Sequence, residues 1–286
     1  TLAGSAGNTG TTDGNGPGAL FIDPQGIGVD SLGNVYVADS FAQTIRKIDP
    51  QGNTSTLAGS AGRSGYADGP TATATFSLPT GLAVDGTGAV YVTEMGNQTV
   101  RVIHPSGIVS TLAGQAGTGN TDGPGNRALF ASLDGMAVDA SDWVYVADTA
   151  NHTIRKISPE GIVSTFAGMP GIAGNADGPP SEARFSHPES PAVDQAGNVY
   201  VADAWNHTIR KITPTGQVST LAGSAGKHGS ADDAGSAARF FYPYGVAVGS
   251  EGLIYVADGL NHTIRRISPD GFVSTFAGTA GAHGHA

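Results

Sequence analysis

One segment of this chain recurs at a fixed interval, and that interval constrains the fold more than any other feature. The clearest copy runs from Ala147 to Gly168 and reads ADTANHTIRKISPEGIVSTFAG. The arginines of its TIR or TVR element are separated by 55, 54, 55 and 55 residues, at Arg46, Arg101, Arg155, Arg210 and Arg265. A period this regular indicates a repeat architecture in which each copy forms one structural unit.

Each repeat contains four short runs with the pattern of β-strands. In the second repeat they are LPTGLAVD, GAVYVTE, NQTVRVI and VSTLAG. Val, Ile, Tyr and Thr alternate with other residues in these runs, while Gly, Asn, Asp and Pro separate them. Four strands per repeat without a long helix predict antiparallel sheets, and radial packing of such sheets into a β-propeller covers their edges and apolar faces.

The repeat also resembles a known family. PxGxAVDxxGNVYVADxxNHxIRKI is similar to the NHL repeat, most completely at Pro188 to Ile212, and the resemblance spans the chain in five copies. It implies a β-propeller, commonly six-bladed in that family. It also implies roles that range from ligand-binding domains and protein scaffolds to, in a minority, enzymes such as the peptidylglycine amidating lyase.

Five copies of the first three strands favour five blades. The closing TLAG or TFAG element occurs six times, at Thr1, Thr56, Thr111, Thr165, Thr220 and Thr275. A ring of five blades has one more copy of the fourth-strand element than it needs. A ring of six blades would lack the first three strands of its sixth blade. A six-bladed ring and a swapped or oligomeric closure stay open as alternatives, because Thr1 to Gly4 and Ser274 to Gly278 can compete for one position.

We expect residues 1–286 to form one propeller domain excised from a longer protein. With 14 basic against 24 acidic residues, the net charge of −10 excludes the electrostatic footprint of a nucleic-acid-binding protein. No apolar run is long enough to insert into a membrane. We expect a monomer without a cofactor, exported from a bacterium to the periplasm or the extracellular space.

Residues shared by all copies are best explained by the blade itself. An Asp stands eight residues before a Phe in each repeat (Asp13 and Phe21 in the first), which predicts an Asp-capped helical turn docked by the Phe. A carboxylate ends each second strand and is predicted to cap a turn. Asn-His pairs follow in the last three copies, and Gln43 and Gln98 occupy the position of the His in the first two. A hydrogen-bonding role is favoured there over a metal site, and the NHT or NQT triplets are weak evidence for glycosylation. The first strands carry small residues two positions apart, which predicts a crowded channel wall: Gly26, Gly81, Gly135, Ser190 and Gly245, then Gly28, Ala83, Ala137, Ala192 and Ala247.

Two positions vary between copies, and chain direction predicts that both lie on one face. One begins the first strand and the other lies in the hairpin between the second and third strands. A funnel that binds a ligand would be lined by the residues at these positions: Gln25, Thr80, Asp134, Glu189, Tyr244, Phe41 and Trp205.

Three functions compete on this reading. The leading one is a non-enzymatic propeller that binds a protein or a small polar ligand, with no catalytic residues and no metal. A metal-assisted lyase or hydrolase is the alternative, for which Glu189, Asp134 and His187 are candidate ligands. A lectin is a further alternative, although aromatic residues would then have to recur near the mouth in each repeat.

We expect the double substitution Glu189→Ala and Asp134→Ala to change the free energy of unfolding by no more than about 1 kcal/mol, because the blade does not require these residues. The two carboxylates should favour a cationic or polyhydroxyl ligand, so the variant should bind such a ligand more weakly. Urea unfolding and a binding titration check both points. A variant that unfolds, or that binds every identified ligand unchanged, would exclude the funnel as the working site.

Overall fold

A computed structural model describes residues 1–284. The sequence AGAHGHA at Ala280 to Ala286 is similar to AGKHGSA at Ala225 to Ala231 and predicts the opening of a further repeat, but its last residues, His285 and Ala286, lie outside the described residues. The described chain is all-β and has the five blades of a β-propeller, as predicted. Within a sheet the strands run in the order fourth, third, second, first, and each neighbouring pair is antiparallel.

The four strands of each repeat begin and end at nearly equivalent residues. The first strands span Pro24–Val29, Pro79–Val84, Leu133–Val138, Pro188–Val193 and Pro243–Val248. The second span Val35–Asp39, Val90–Glu94, Val144–Asp148, Val199–Asp203 and Ile254–Asp258. The third span Thr44–Ile48, Thr99–Ile103, Thr153–Ile157, Thr208–Ile212 and Thr263–Ile267. The fourth span Asn53–Gly59, Ile108–Gly114, Ile162–Ala167, Val218–Gly223 and Phe272–Gly278.

Short elements complete the sheets. Two-residue strands pair with the outer edge at Gly14–Asn15, Gly69–Pro70, Gly123–Pro124 and Asp233–Ala234. Single turns of 3-10 helix lie at Gly16–Gly18, Thr149–Asn151, Ala204–Asn206, Gly235–Ala237, Ser250–Gly252 and Gly259–Asn261. In the fifth repeat Phe272–Gly278 is the closing strand, and Thr1 to Gly4 forms no strand.

The chain groups into two compact units. Unit 1 comprises Thr1–Asp142 with Ile157–Val163, and unit 2 comprises Trp143–Lys156 with Ser164–Ala286. The third repeat contributes strands to both. The organisation of the whole chain as one domain stays a prediction.

In each unit, apolar side chains of successive sheets form the core. In unit 1, Leu82 of the second repeat joins a buried cluster with Tyr36 and Ile45 of the first. Its counterpart in the first repeat, Ile27, is 64% exposed. In unit 2, Val246 packs in the same way against Tyr200 and Ile209. Alternation along the strands therefore places the core between blades.

Close approach of successive first strands explains the small residues there. A Cβ added to Gly26 would lie 2.2 Å from the carbonyl oxygen of Thr80. A Cβ added to Gly81 would lie 2.5 Å from the carbonyl oxygen of Asp134. Both distances are far below van der Waals contact, so glycine is required at these positions of unit 1, as the predicted crowding implies.

A buried arginine connects distant segments of each repeat. In the second repeat, Nη1 of Arg101 donates to the carboxylate of Glu94 at 2.9 Å, and Nη2 donates to Asp68 at 2.6 Å. The guanidinium also donates to the carbonyl oxygens of Thr75 and Ala67 and lies 5.3 Å from the ring centroid of Phe76. Arg46, Arg210 and Arg265 make the equivalent contacts.

The contacts of this network differ from two predictions made from the sequence. The carboxylate that ends the second strand accepts a backbone amide, but from the loop before the first strand: the amide of Ser77 lies 2.7 Å from Glu94. The Asp before the Phe does not cap a helical turn, because Asp13 binds Arg46 together with the amide and hydroxyl of Thr56. The Phe is buried, as the predicted docking requires: Phe76 is fully buried.

We expect Arg210→Met to lower the free energy of unfolding by about 3–5 kcal/mol, because it leaves the fully buried Asp203 without its cation. Burial already raises the pKa of Asp203 to about 6 although Arg210 lies beside it. Denaturant unfolding followed by circular dichroism measures the loss. Lys211→Met, one residue further along the same strand, is the matched control and should cost less than about 1 kcal/mol. Equal losses in the two variants would contradict the network's role.

Candidate functional site

In unit 1 the predicted site residues are held by different contacts. Gln25 is exposed and donates to the carboxylate of Asp23 at 2.9 Å. Thr80 is buried, and its hydroxyl donates to the carbonyl oxygen of Leu133 at 3.1 Å. Asp134 is half-buried, while Phe41 is 60% exposed. Of these side chains, Gln25 and Phe41 offer the most surface to solvent.

In unit 2 the structure brings predicted site residues together. The amide of Trp205, in the hairpin, donates to the carbonyl oxygen of Ser186 in the loop before the first strand at 3.1 Å. The hairpin and this leading loop therefore lie side by side, as chain direction predicts. Glu189 and Tyr244 begin the first strands of the fourth and fifth repeats. That these three and the four residues of unit 1 line one funnel stays a prediction.

The leading loop turns sharply before each first strand. In each repeat a non-glycine residue adopts the left-handed backbone conformation there, with φ between 48° and 59°: Asp23, Leu78, Ser132, His187 and Tyr242. This conformation is uncommon for such residues, so the blade imposes it. The side chain at the turn varies freely, and in unit 2 it is an aromatic or imidazole ring.

In the first four repeats, the residue just before the third strand fastens the leading loop of the next repeat. Gln43 accepts the amide of Leu78 through Oε1 at 2.8 Å. In unit 2, Nδ1 of His152 accepts the amide of His187 at 3.2 Å, and Nδ1 of His207 accepts the amide of Tyr242 at 3.3 Å. An accepting Nδ1 places the proton of the neutral ring on Nε2. The predicted hydrogen-bonding role of this position is confirmed.

The Asn of the Asn-His pair is also part of the blade. Nδ2 of Asn206 donates to the carboxylate of Asp203 at 2.8 Å and to the carbonyl oxygen of Gly174 at 2.7 Å. Asn261 makes the same pair of contacts in the fifth repeat, to Asp258 and Gly229. The side-chain nitrogen of each of these two asparagines therefore donates hydrogen bonds within the blade, which agrees with a structural role for the NHT triplet.

A continuous series of rings crosses unit 2. His152 meets His187 edge to face at 4.7 Å, and His187 stacks on Trp205 at 3.6 Å with 15° between the planes. Trp205 then lies 6.4 Å from Tyr242 at an angle of 54°, and Tyr242 lies 5.7 Å from Tyr244 at 53°. We call His187, Glu189, Trp205, Tyr242 and Tyr244 the aromatic face.

Solvent reaches this face even though its rings are fixed. Trp205 is 52% exposed and Tyr244 is 46% exposed. Gly259 makes room for Tyr244, since a Cβ at Gly259 would lie 2.3 Å from Cδ2 of that ring. Stacking and this close approach hold two large rings in place at the surface.

Burial changes the proton affinity of several groups in unit 2. Desolvation lowers the pKa of His152, and desolvation together with the neighbouring imidazole of His152 lowers the pKa of His187. The pKa of His207 is lowered by desolvation and by His228. Burial raises the pKa of Tyr242, and Tyr244 and the negative charge of Glu189 raise it further. The imidazoles are therefore neutral at neutral pH.

The candidate metal ligands do not form a cluster. Within residues 1–284, no three side chains of the types His, Cys, Asp and Glu stand in positions to hold a metal ion together. Nδ1 of His187 is buried without a hydrogen-bond partner in this part of the chain. His187 serves instead as the ring on which Trp205 rests.

A cleft in unit 1 was not anticipated. It encloses about 390 Å³ and is lined by carboxylates, a phenol and an imidazole, among them Asp85, Tyr91, His104, Asp142 and Glu160. None of the predicted site residues lines it. The aromatic face was anticipated only in part, since Tyr242 becomes visible as a variable residue only when the leading loops of the repeats are aligned.

The fold defines a β-propeller built from repeated four-stranded blades. A model of the NHL repeat matches residues 185–212. SUPPRESSOR OF QUENCHING 1 of Arabidopsis thaliana is 31% identical over 92% of this chain, and NHL repeat-containing protein 2 of Homo sapiens is 30% identical over 90%. The chain belongs to the NHL-repeat family of β-propellers. It spans 26% and 40% of the length of these two relatives.

Solved structures share the fold at low sequence identity. Virginiamycin B lyase from Staphylococcus aureus aligns with a TM-score of 0.59 and 16% identity, over 88% of this chain and 69% of its own. An auxiliary nutrient binding protein from Bacteroides ovatus aligns with a TM-score of 0.64 and 17% identity, over 91% and 60%. At these identities the likeness concerns the fold alone. No helix among residues 1–284 has the length and apolar character needed to cross a membrane.

We expect the lowered histidine pKa values to make stability fall in acid. When the folded pKa lies below the ordinary value of 6.5, the unfolded chain takes up protons first, so stability is complete above about pH 6.5 and declines as pH falls below it. The variant His152→Gln/His207→Gln should lose less stability between pH 7.5 and 5 than the wild type. Urea unfolding at the two pH values measures the difference.

The opposite substitution, from glutamine to histidine, can be tested at the equivalent position of another repeat. Glutamine already accepts the same amide at Gln43 and Gln98, so the histidine-to-glutamine changes should cost less than about 1 kcal/mol at pH 7.5. Gln98→His should add acid sensitivity. Parallel pH profiles for all three proteins would contradict the account.

Proposed function

We propose that this chain is a non-catalytic binding propeller that holds a protein or a small polar ligand on the aromatic face of unit 2. One observation carries the proposal: Trp205 stacks on His187 at 3.6 Å and is nevertheless 52% exposed. A ring that is already fixed loses little conformational freedom when a ligand covers it, so its contact area contributes to affinity.

The repeats support this assignment, because the blade does not need an aromatic residue at either position. Gly96, Ala150 and Leu260 occupy the hairpin position of Trp205 in other repeats, and Gln25 and Thr80 correspond to Tyr244. Contiguous exposed apolar surface is typical of interaction sites, whereas singly scattered exposed residues are ordinary. A location outside the cytoplasm, expected from composition, is part of the same proposal.

The nearby ionisable groups suit recognition better than catalysis. His187 packs against Trp205 and against His152 with its imidazole neutral. His152 uses Nδ1 to hold the backbone of the next leading loop. Both histidines thus act by fixing rings and backbone.

We expect Trp205→Ala/Tyr244→Ala to abolish binding in a panel of small cations, sugars and candidate protein partners, because it removes the two most exposed rings of the face. Thermal shift and titration calorimetry on the whole chain measure binding. Both side chains are about half exposed, so the free energy of unfolding should change by less than about 1 kcal/mol.

Tyr66→Ala is the matched control. Tyr66 lies in unit 1 outside the predicted site residues, and at 77% exposure it is an exposed aromatic side chain like Trp205. Its replacement should leave binding unchanged. Binding that survives the double substitution, or turnover of a small substrate without stable binding, would contradict the proposed function.

A further inference from the structure

We propose that the aromatic face of unit 2 recognises an alkylated ammonium group, which rests on Trp205, Tyr242 and Tyr244 and is neutralised by the carboxylate of Glu189. The inference rests on the proposed function and names the ligand class for the same surface. An ammonium bearing methyl groups combines a positive charge with an apolar shell, and both parts match an aromatic surface beside a carboxylate.

The angles between the rings favour such a group over a sugar. Trp205 and Tyr242 are inclined by 54°, and Tyr242 and Tyr244 by 53°. Inclined rings offer π surface from several directions, which suits a compact, nearly spherical cation. A pyranose requires a flat ring face parallel to its own, and His187 already covers one face of Trp205.

The charges near the aromatic face also favour a cationic ligand. The carboxylate of Glu189 lies near enough to Tyr242 to raise the pKa of its hydroxyl. The imidazole behind Trp205 is neutral at neutral pH because desolvation and His152 lower the pKa of His187. The whole chain carries a net charge of −10, which attracts cations to the surface.

Unit 2 already contains an ammonium group surrounded by rings. Nζ of Lys156 lies 4.2 Å from the ring centroid of Trp143, 5.2 Å from that of Tyr145 and 5.6 Å from that of Phe166. Here the chain places its own alkylammonium against an indole and two other rings. The aromatic face likewise combines an indole and two phenols, and it places a carboxylate near them.

Choline and its neutral isostere 3,3-dimethylbutan-1-ol test the proposal, because they have the same shape and differ in charge. In titration calorimetry with the full chain, choline should bind at least about tenfold more tightly than the alcohol. Glu189→Gln should weaken choline binding about fivefold, the effect expected for one exposed charge pair. Trp205→Leu should weaken it about tenfold. Tyr66→Leu, at an exposed aromatic residue outside the predicted site, should leave choline binding unchanged.

The outcomes separate this inference from the proposed function. Equal affinity for choline and the alcohol would overturn the cation assignment. So would the absence of choline binding in a protein that binds a sugar or another ligand through Trp205 and Tyr244, which would leave the proposed function standing. If no probe of any class binds through these residues, both proposals fail. Circular dichroism of each variant confirms that a loss of binding is not a loss of folding.

Discussion

The guanidinium group of a buried arginine connects segments of each blade that are distant in the sequence. Arg210 reaches Asp203 at the end of the second strand, Asp177 in the Gly-rich segment and the carbonyl oxygen of Arg184 beside the docked Phe185. A buried ion pair contributes little net stability compared with an apolar pair, but removal of one partner leaves an uncompensated charge. The pair therefore specifies how strand, loop and turn fit together, while apolar contacts between sheets supply most of the stability.

Because this network holds the blade from within, the loops at one face are free to differ. The leading loop keeps its left-handed turn in every repeat, yet the side chain at the turn ranges from Asp23 to Tyr242. Gln43 and His152 fasten the next leading loop through different chemical groups with the same geometry. In unit 2 these permitted differences have produced a series of packed rings. A rigid scaffold with variable surface positions is the arrangement that binding proteins commonly use.

The period and the strand pattern were sufficient to predict a β-propeller, and the five copies of the first three strands favoured five blades. The NHL repeat was identified from the resemblance of the motif to that family. The Asp before the Phe was misread as a helix cap, because its partner Arg46 lies 33 residues away and only the folded chain brings them together. The residues of the aromatic face were anticipated in part. Variation between copies singled out Trp205, Glu189 and Tyr244, whereas the stacking of His187 on Trp205 depends on side-chain directions that no pattern of single residues contains.

Native-state hydrogen exchange tests the central claim, that the buried carboxylate and arginine fix the leading loop of each blade. The amides of Ile22, Ser77, Ser186 and Phe241 donate to these carboxylates at 2.6, 2.7, 2.7 and 2.7 Å. If the network governs the fold, these four loop amides exchange as slowly as amides in the middle of the second and third strands, through global unfolding. Exchange at the rate of ordinary surface-loop amides would contradict the account.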